Sequence, residues 1–190
     1  RNTAGESGWM QWSALQLGAI RWLYLVEHCS MDCQSVTGRG RLEQGIAKVD
    51  AQDVAEASYR GIVGLWGNVW QWLGGLKTVS GEIVVQDAGG RWISTGVKAA
   101  TNGIYPASFA RGFEGEESDI VSGLFVASES CDEPDGAATP NAQFFYGDVE
   151  YFPLVGGGWS NAAIAGLWYV NCAYAASYTY TYIGARLAKG

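Results

Sequence analysis

The sequence predicts an α+β domain built of short strands, one main helix and long loops. Three observations lead there. Of its 190 residues, 48% are hydrophobic and 16% charged, enough apolar material for one domain with a sizeable core, plain or carrying insertions. Nine Trp call for a deep core or a binding surface, and 27 Gly call for many tight turns between short elements. Only one stretch, residues 9–28, carries a long helical period.

In that stretch Trp9, Trp12, Leu15, Leu17, Ile20, Leu23, Tyr24 and Val26 approximate a 3.6-residue repeat. The stripe is wide, which predicts a helix packed on a sheet. Gly38 and Gly40 end the regular pattern, and residues 47–57 read as loop or short helix. A dense aromatic run follows at 59–72. Residues 82–86 and 91–94 read as a hairpin around Asp87-Ala-Gly-Gly90. Residues 95–117 are Gly-rich and weakly patterned, so 95–142 is predicted to be an insertion. It contains the turn-rich Cys131-Asp-Glu-Pro-Asp-Gly136 and a candidate strand at 123–128. Further strands are expected at 143–151 and 183–188.

Charge and cysteine usage exclude several functions. The net charge is -7 and the twelve basic residues are scattered, which argues against nucleic acid as a partner. Cys29, Cys33, Cys131 and Cys172 form no CxxC pair. Cys29 and Cys33 are poorly placed for a mutual bridge, and a disulfide from Cys131 to either remains open. With His28 the only histidine, no metal and no other cofactor is expected. The apolar stretch 12–26 is interrupted by Arg21 and 162–170 is short, so no direct membrane insertion is expected. The chain opens on Arg1 without a signal peptide, as a trimmed or processed piece would.

From residue 154 to residue 185 there is no Asp, Glu, Lys or Arg. Burial alone would explain this. Yet Ser177-Tyr-Thr-Tyr-Thr-Tyr-Ile183 alternates, so an extended chain would put Tyr178, Tyr180 and Tyr182 on one side, about 6.5–7 Å apart. Buried, each hydroxyl would need a partner or cost about 1–3 kcal/mol. Exposed, such a row suits recognition, since Tyr presents a large amphipathic area with few rotors to freeze.

Three motifs add a resemblance. Gly67-Asn-Val-Trp-Gln-Trp72 resembles the GNVWEW signature of C-type-lectin domains of the formylglycine-generating-enzyme kind; Gly156-Gly-Gly-Trp159 resembles their GGSW element, and Ile183-Gly-Ala-Arg186 their terminal GFR strand. Within that fold the tail is similar to variable proteins of diversity-generating retroelements, whose C-terminal repeats are rewritten at template adenines. The resemblance implies a single domain over 1–190 with its variable segment at 159–186. It implies variable, ligand-binding positions at Ser160, Asn161, Ile164, Asn171, Cys172, Tyr174, Tyr178, Tyr180 and Tyr182, all reachable from AAY codons. Gly166, Leu167, Trp168, Ala175, Ala176, Thr179, Thr181 and Gly184 would be fixed scaffold. Trp70 and Trp72 are expected in the core, Asn68 as a backbone-bonding turn residue, and Arg186 as a structural bridge. Gln71 replaces the usual Glu near a calcium site of some relatives, so no metal is carried over.

Enzymes share this fold. The formylglycine-generating type needs a cysteine pair that binds copper, and the iron-dependent sulfoxide synthases need several His; this chain offers neither pattern. The expected function is therefore non-catalytic recognition of a protein or glycan receptor on a target cell surface. A phage tail protein, as a homotrimer, is the favoured setting, with a bacterial cell-surface variable protein as the first alternative and a formylglycine-generating-type enzyme as the second.

Overall fold

The computed structural model describes residues 8–87, 89–100, 103–111 and 121–189. The chain runs through β1 (Trp9–Gln11), α1 (Ala14–His28), α2 (Cys33–Val36), α3 (Gln52–Glu56), β2 (Trp70–Trp72), β3 (Leu76–Val79), β4 (Glu82–Gln86) and β5 (Trp92–Lys98). It continues through β6 (Tyr105–Phe109), β7 (Ala127–Cys131), β8 (Gln143–Phe145), β9 (Glu150–Gly156), β10 (Gly166–Tyr174), β11 (Ile183–Ala185) and β12 (Leu187–Lys189). Mostly strands with one long helix, it is an α+β protein.

The main helix starts later than its period suggests. Ser13 caps it: its hydroxyl accepts from the Gln16 amide while the Gln16 side chain accepts from the Ser13 amide. This reciprocal pair satisfies two donors that the first turn leaves free. Trp9–Gln11 instead forms β1, antiparallel to β12, so the two ends of the described chain are joined. At the other end Cys29 closes the helix in a left-handed conformation.

The buried face of α1 also differs from the expected stripe. It carries Ala14, Leu17, Gly18, Arg21 and Tyr24, whereas Leu15, Trp22, Leu23 and Val26 are exposed. Gly18 selects this face, because a Cβ there would lie 2.6 Å from the Gly123 carbonyl oxygen. Arg21, which breaks the apolar run in sequence, is 2% exposed. Its Nε donates to the Leu167 carbonyl at 2.9 Å and its Nη1 to the Leu124 carbonyl at 2.7 Å. Burial pulls its pKa down to about 9. The residue that looked like an interruption thus ties the helix to β10.

β9 is the centre of the sheet. β10 lies antiparallel on one edge, and β2 and β3 pair antiparallel with its two ends. β11 adds parallel to β2, β4 and β5 continue from β3, and β8 adds parallel to β10. The predicted hairpin is β4–β5, with β5 running on to Lys98. From Trp168 to Cys172 successive residues of β10 alternate between its two faces, while Leu167 also joins the main core. Trp168, Val170 and Cys172 join the main core with Leu17, Tyr24 and Trp66. Tyr169 belongs to a second cluster with Trp70 and Leu154 on the other side.

The expected strand at 143–151 is two strands, β8 and β9. The closing strand at 183–188 is likewise two, β11 and β12, separated at Arg186. Within 95–142, β6 and β7 form a small separate sheet, and the strand expected at 123–128 starts later, at Ala127. The parts at 101–102 and 112–120 lie outside the described residues. All four cysteines are free thiols, so neither disulfide left open by the sequence is formed.

Candidate functional site

The connection from β10 to β11 builds the site. The two strands run in the same direction but are not neighbours, because β9 and β2 lie between them. The chain must therefore cross about 14 Å of sheet, three inter-strand spacings. Residues 175–182 could span about 27 Å if extended, so the crossing has slack. Two turns take it up, closed by Tyr178 N–H to Ala175 C=O at 2.9 Å and Ile183 N–H to Tyr180 C=O at 3.1 Å. The expected Tyr-Thr strand is thus a folded crossover: with no strand beside it, its alternation has no ladder to join.

The tyrosines nevertheless end up together. Tyr174 and Tyr178 stack with centroids 4.2 Å apart and planes at 16°. Tyr178 and Tyr180 lie 6.5 Å apart at 14°, and Tyr180 meets Tyr182 at 4.4 Å with a 48° tilt. Tyr180, the outermost, is 55% exposed. Tyr174 and Tyr182 are half-buried against the second cluster. The hydroxyl pKa values of these two are raised, first by burial and then by neighbouring tyrosines.

Beneath this ladder lies a pit of about 160 Å³. Buried Trp70, Leu154 and Tyr169 form its floor, with Tyr174, Tyr178 and Tyr182 around it. Ser160, Asn161, Asn171 and Ile183 complete it, and among the described residues no charged side chain lines it. Asn161 is held from both ends of its amide: Oδ1 accepts from the Gly158 N–H at 2.8 Å, and Nδ2 donates to the Tyr169 hydroxyl at 3.3 Å. Burial pushes the Tyr169 hydroxyl pKa well up. The Asn171 Oδ1 is buried and accepts no hydrogen bond. Gly157, at φ +77°, lets the chain pass the Tyr169 ring, since a Cβ there would lie 2.7 Å from the ring edge.

Of the nine expected ligand-binding residues, Ser160, Asn161, Asn171, Tyr174, Tyr178 and Tyr182 meet at this pit, and Tyr180 extends its ladder. Ile164 is half-buried against the second cluster but does not line the pit. Cys172 is corrected. It is 0% exposed and faces the main core, with its thiol beside the Thr78 hydroxyl at 3.5 Å and the Tyr151 carbonyl at 3.4 Å. It follows Asn171 on the opposite face of β10, and the bulge between Asn171 and Tyr174 returns Tyr174 to the pit side. Sequence reasoning missed Tyr169 and placed Trp70 only in the core. The signal for Tyr169 was available, because it shares the parity of Asn171. Among the expected scaffold residues, Leu167 and Trp168 are buried, whereas Ala175, Ala176, Thr179 and Thr181 are exposed along the crossover.

The remaining motif residues sit elsewhere. Arg186 donates through Nε to Gln71 Oε1 at 3.0 Å, and through Nη2 to the Val63 and Gly64 carbonyls at 2.7 and 3.1 Å. It also lies over the Trp12 ring, a structural bridge beside a separate cleft of about 540 Å³. Asn68 holds Ala47 through both amide atoms, at 2.8 and 3.0 Å. His28 packs its ring on Tyr24 and Tyr59, not at the pit. Among the described residues no group of three His, Cys, Asp or Glu is placed to hold a metal ion, and no helix is long and apolar enough to cross a membrane.

No protein-family model matches the chain, and comparison with curated proteins gives no match.

Proposed function

We propose that this chain is a diversified, non-catalytic ligand-binding domain of the C-type-lectin type, similar to the variable proteins of diversity-generating retroelements. One observation carries the reading. Positions assigned as variable from three separate stretches, 160–161, 171–174 and 178–182, converge on a single pit and its aromatic rim. β10 and β11 anchor both ends of the crossover, so side chains along it can change while the sheet beneath keeps the fold.

The fold reading draws support from the three motifs. Trp70–Trp72 pairs in parallel with Ile183–Ala185. Gly67 N–H donates to the Gly156 carbonyl at 3.2 Å, and Trp159 N–H to the Asn68 carbonyl at 3.0 Å. Motifs distant in sequence therefore form one hydrogen-bonded unit. The proposed partner is a protein or glycan receptor on a target cell surface, met from a phage tail or from a bacterial surface.

The test is binding of the labelled chain to a panel of intact bacterial cells. Tyr178→Ala/Tyr180→Ala is expected to remove binding while the far-UV spectrum is retained and the cooperative unfolding transition moves only by the about 1–2 kcal/mol that the lost ring contacts represent. Full binding by the double variant to every cell that the parent binds would overturn the reading. So would a gene locus with neither a reverse transcriptase nor a near-copy of the 159–186 coding segment.

A further inference from the structure

We infer that the pit beneath the tyrosine ladder seats one uncharged, polyhydroxylated ring, a neutral pyranose, without a bridging cation. The inference rests on the binding reading above and narrows it to a glycan. Size comes first. Pockets for drug-sized molecules span about 300–1,000 Å³, and this one, at about 160 Å³, has room for a single ring.

Its polar groups are complementary to adjacent hydroxyls. The Tyr169 hydroxyl accepts from Asn161 and retains its own proton to donate. The Asn171 Oδ1 still lacks a donor. One floor thus offers a spare donor and a spare acceptor. Neighbouring hydroxyls on a ring, each able to give and to receive, satisfy both. Its use requires the Asn171 amide to turn towards the cavity when the ring binds, because the oxygen is buried in this structure. A buried acceptor left without a partner is costly, so a ligand that supplies one gains selectively over one that does not.

The tyrosine faces supply the rest. Tyr174, Tyr178 and Tyr182 line the pit with amphipathic aromatic surface, suited to the apolar C–H groups of a sugar. No Lys or Arg lines it to pair with a carboxylate, and the chain carries -7 overall, so uronic and sialic acids are disfavoured. No carboxylate lines it to hold calcium either. A protein loop is less well matched, because the centre of a protein interface is typically apolar and this floor is hydrogen-bonding.

The experiment is ligand-observed NMR of the whole chain with methyl glycosides of glucose, galactose, mannose and N-acetylglucosamine. Glucuronate and sialic acid serve as the acidic arm, with each titration repeated in EDTA. Saturable binding of at least one neutral glycoside is expected, unchanged by EDTA and weakened about tenfold by Tyr169→Phe. Tyr169→Phe keeps the ring and removes only the hydroxyl, and its unfolding midpoint controls for folding. A glycan array then separates a ring recognised alone from a ring at the end of a longer chain. Equal binding of acidic sugars, loss in EDTA, indifference to Tyr169→Phe or failure of every neutral glycoside would each overturn the inference. If cells are still bound through Tyr178 and Tyr180 while no glycan is, the receptor is a protein: the binding reading stands and this one falls.

Discussion

The faces of β10 give opposite expectations for two positions that the sequence placed in one set. Cys172 and Tyr180 are both uncharged and both fall in the proposed variable segment. Cys172 has 0% of its surface exposed and packs against Thr78 and Tyr151. Replacing it with Tyr inserts a ring into filled space. Overpacking costs about 1–3 kcal/mol for added methylenes, so a ring should reach the upper end of that range or exceed it. Cys172→Ser keeps the size and both polar neighbours, and should cost about 1 kcal/mol. Tyr180, 55% exposed, rests on Tyr178 and Tyr182 only through its ring faces. Tyr180→Ala is therefore expected to change stability by about 0.5 kcal/mol. Tyr178→Ala also removes the close stack on Tyr174 and should cost about 0.5–1.5 kcal/mol. Equilibrium urea unfolding measures all four. With a slope of about 2 kcal/mol/M, Cys172→Tyr shifts the midpoint by about 1 M or more while Tyr180→Ala leaves it nearly in place. A Cys172→Tyr protein as stable as the parent would refute the assignment of faces. So would a Tyr180→Ala protein that loses more than about 2 kcal/mol.

Two further outcomes follow from the same geometry. Asn68→Ala removes both hydrogen bonds to Ala47 and leaves a residue with a Cβ at φ +56°. The lost bonds and the left-handed penalty together predict a loss of about 3 kcal/mol in urea unfolding, of which Asn68→Gly should recover about 1. In the thiols, burial pushes Cys33 and Cys172 up to about 12, whereas Cys29 is exposed. Ellman's reagent at pH 8 should react at once with Cys29 and more slowly with half-buried Cys131. Cys33 and Cys172 should react only on unfolding, and rapid native-state labelling of either, read by peptide mapping, would contradict their placement.

Much of the fold was legible because local chemistry declares itself. The β4–β5 hairpin follows from two β-rich runs around Asp87-Ala-Gly-Gly90, and Asn68 from its place in a Gly-Asn turn. The helix was legible in kind but not in orientation. Its period runs continuously from Trp9, yet its true start is written in the sequence as Ser13-x-x-Gln16, a capping box that the longer apolar period masks. Its inner face is set by the close pass of Gly18 and Gly123, residues 105 positions apart by subtraction of their numbers. No periodicity carries such a contact. Arg21 shows the same limit in reverse, since a charged residue reads as surface until two carbonyls are found to hold it.

The candidate site divides along the same line. Its composition was legible: an uncharged stretch with evenly spaced tyrosines already announces either core or a recognition surface. Its geometry was not, because Tyr-Thr alternation reads as a pleated strand. Strand order excludes that, as β10 and β11 are separated by β9 and β2 and residues 175–182 cross the sheet. The rings nonetheless share a side, through two turns and face-to-face packing instead of a ladder. This distinction has a consequence. In a strand, exchanging one tyrosine leaves its neighbours' directions fixed by the backbone pleat. In a crossover held by ring stacking, Tyr178 helps to position both Tyr174 and Tyr180, so substitutions along the ladder should be coupled. A double-mutant cycle on Tyr174 and Tyr178, at 4.2 Å and 16°, should give a coupling of about 0.5–1.5 kcal/mol. Strict additivity would mean that the backbone turns alone hold the rings in place.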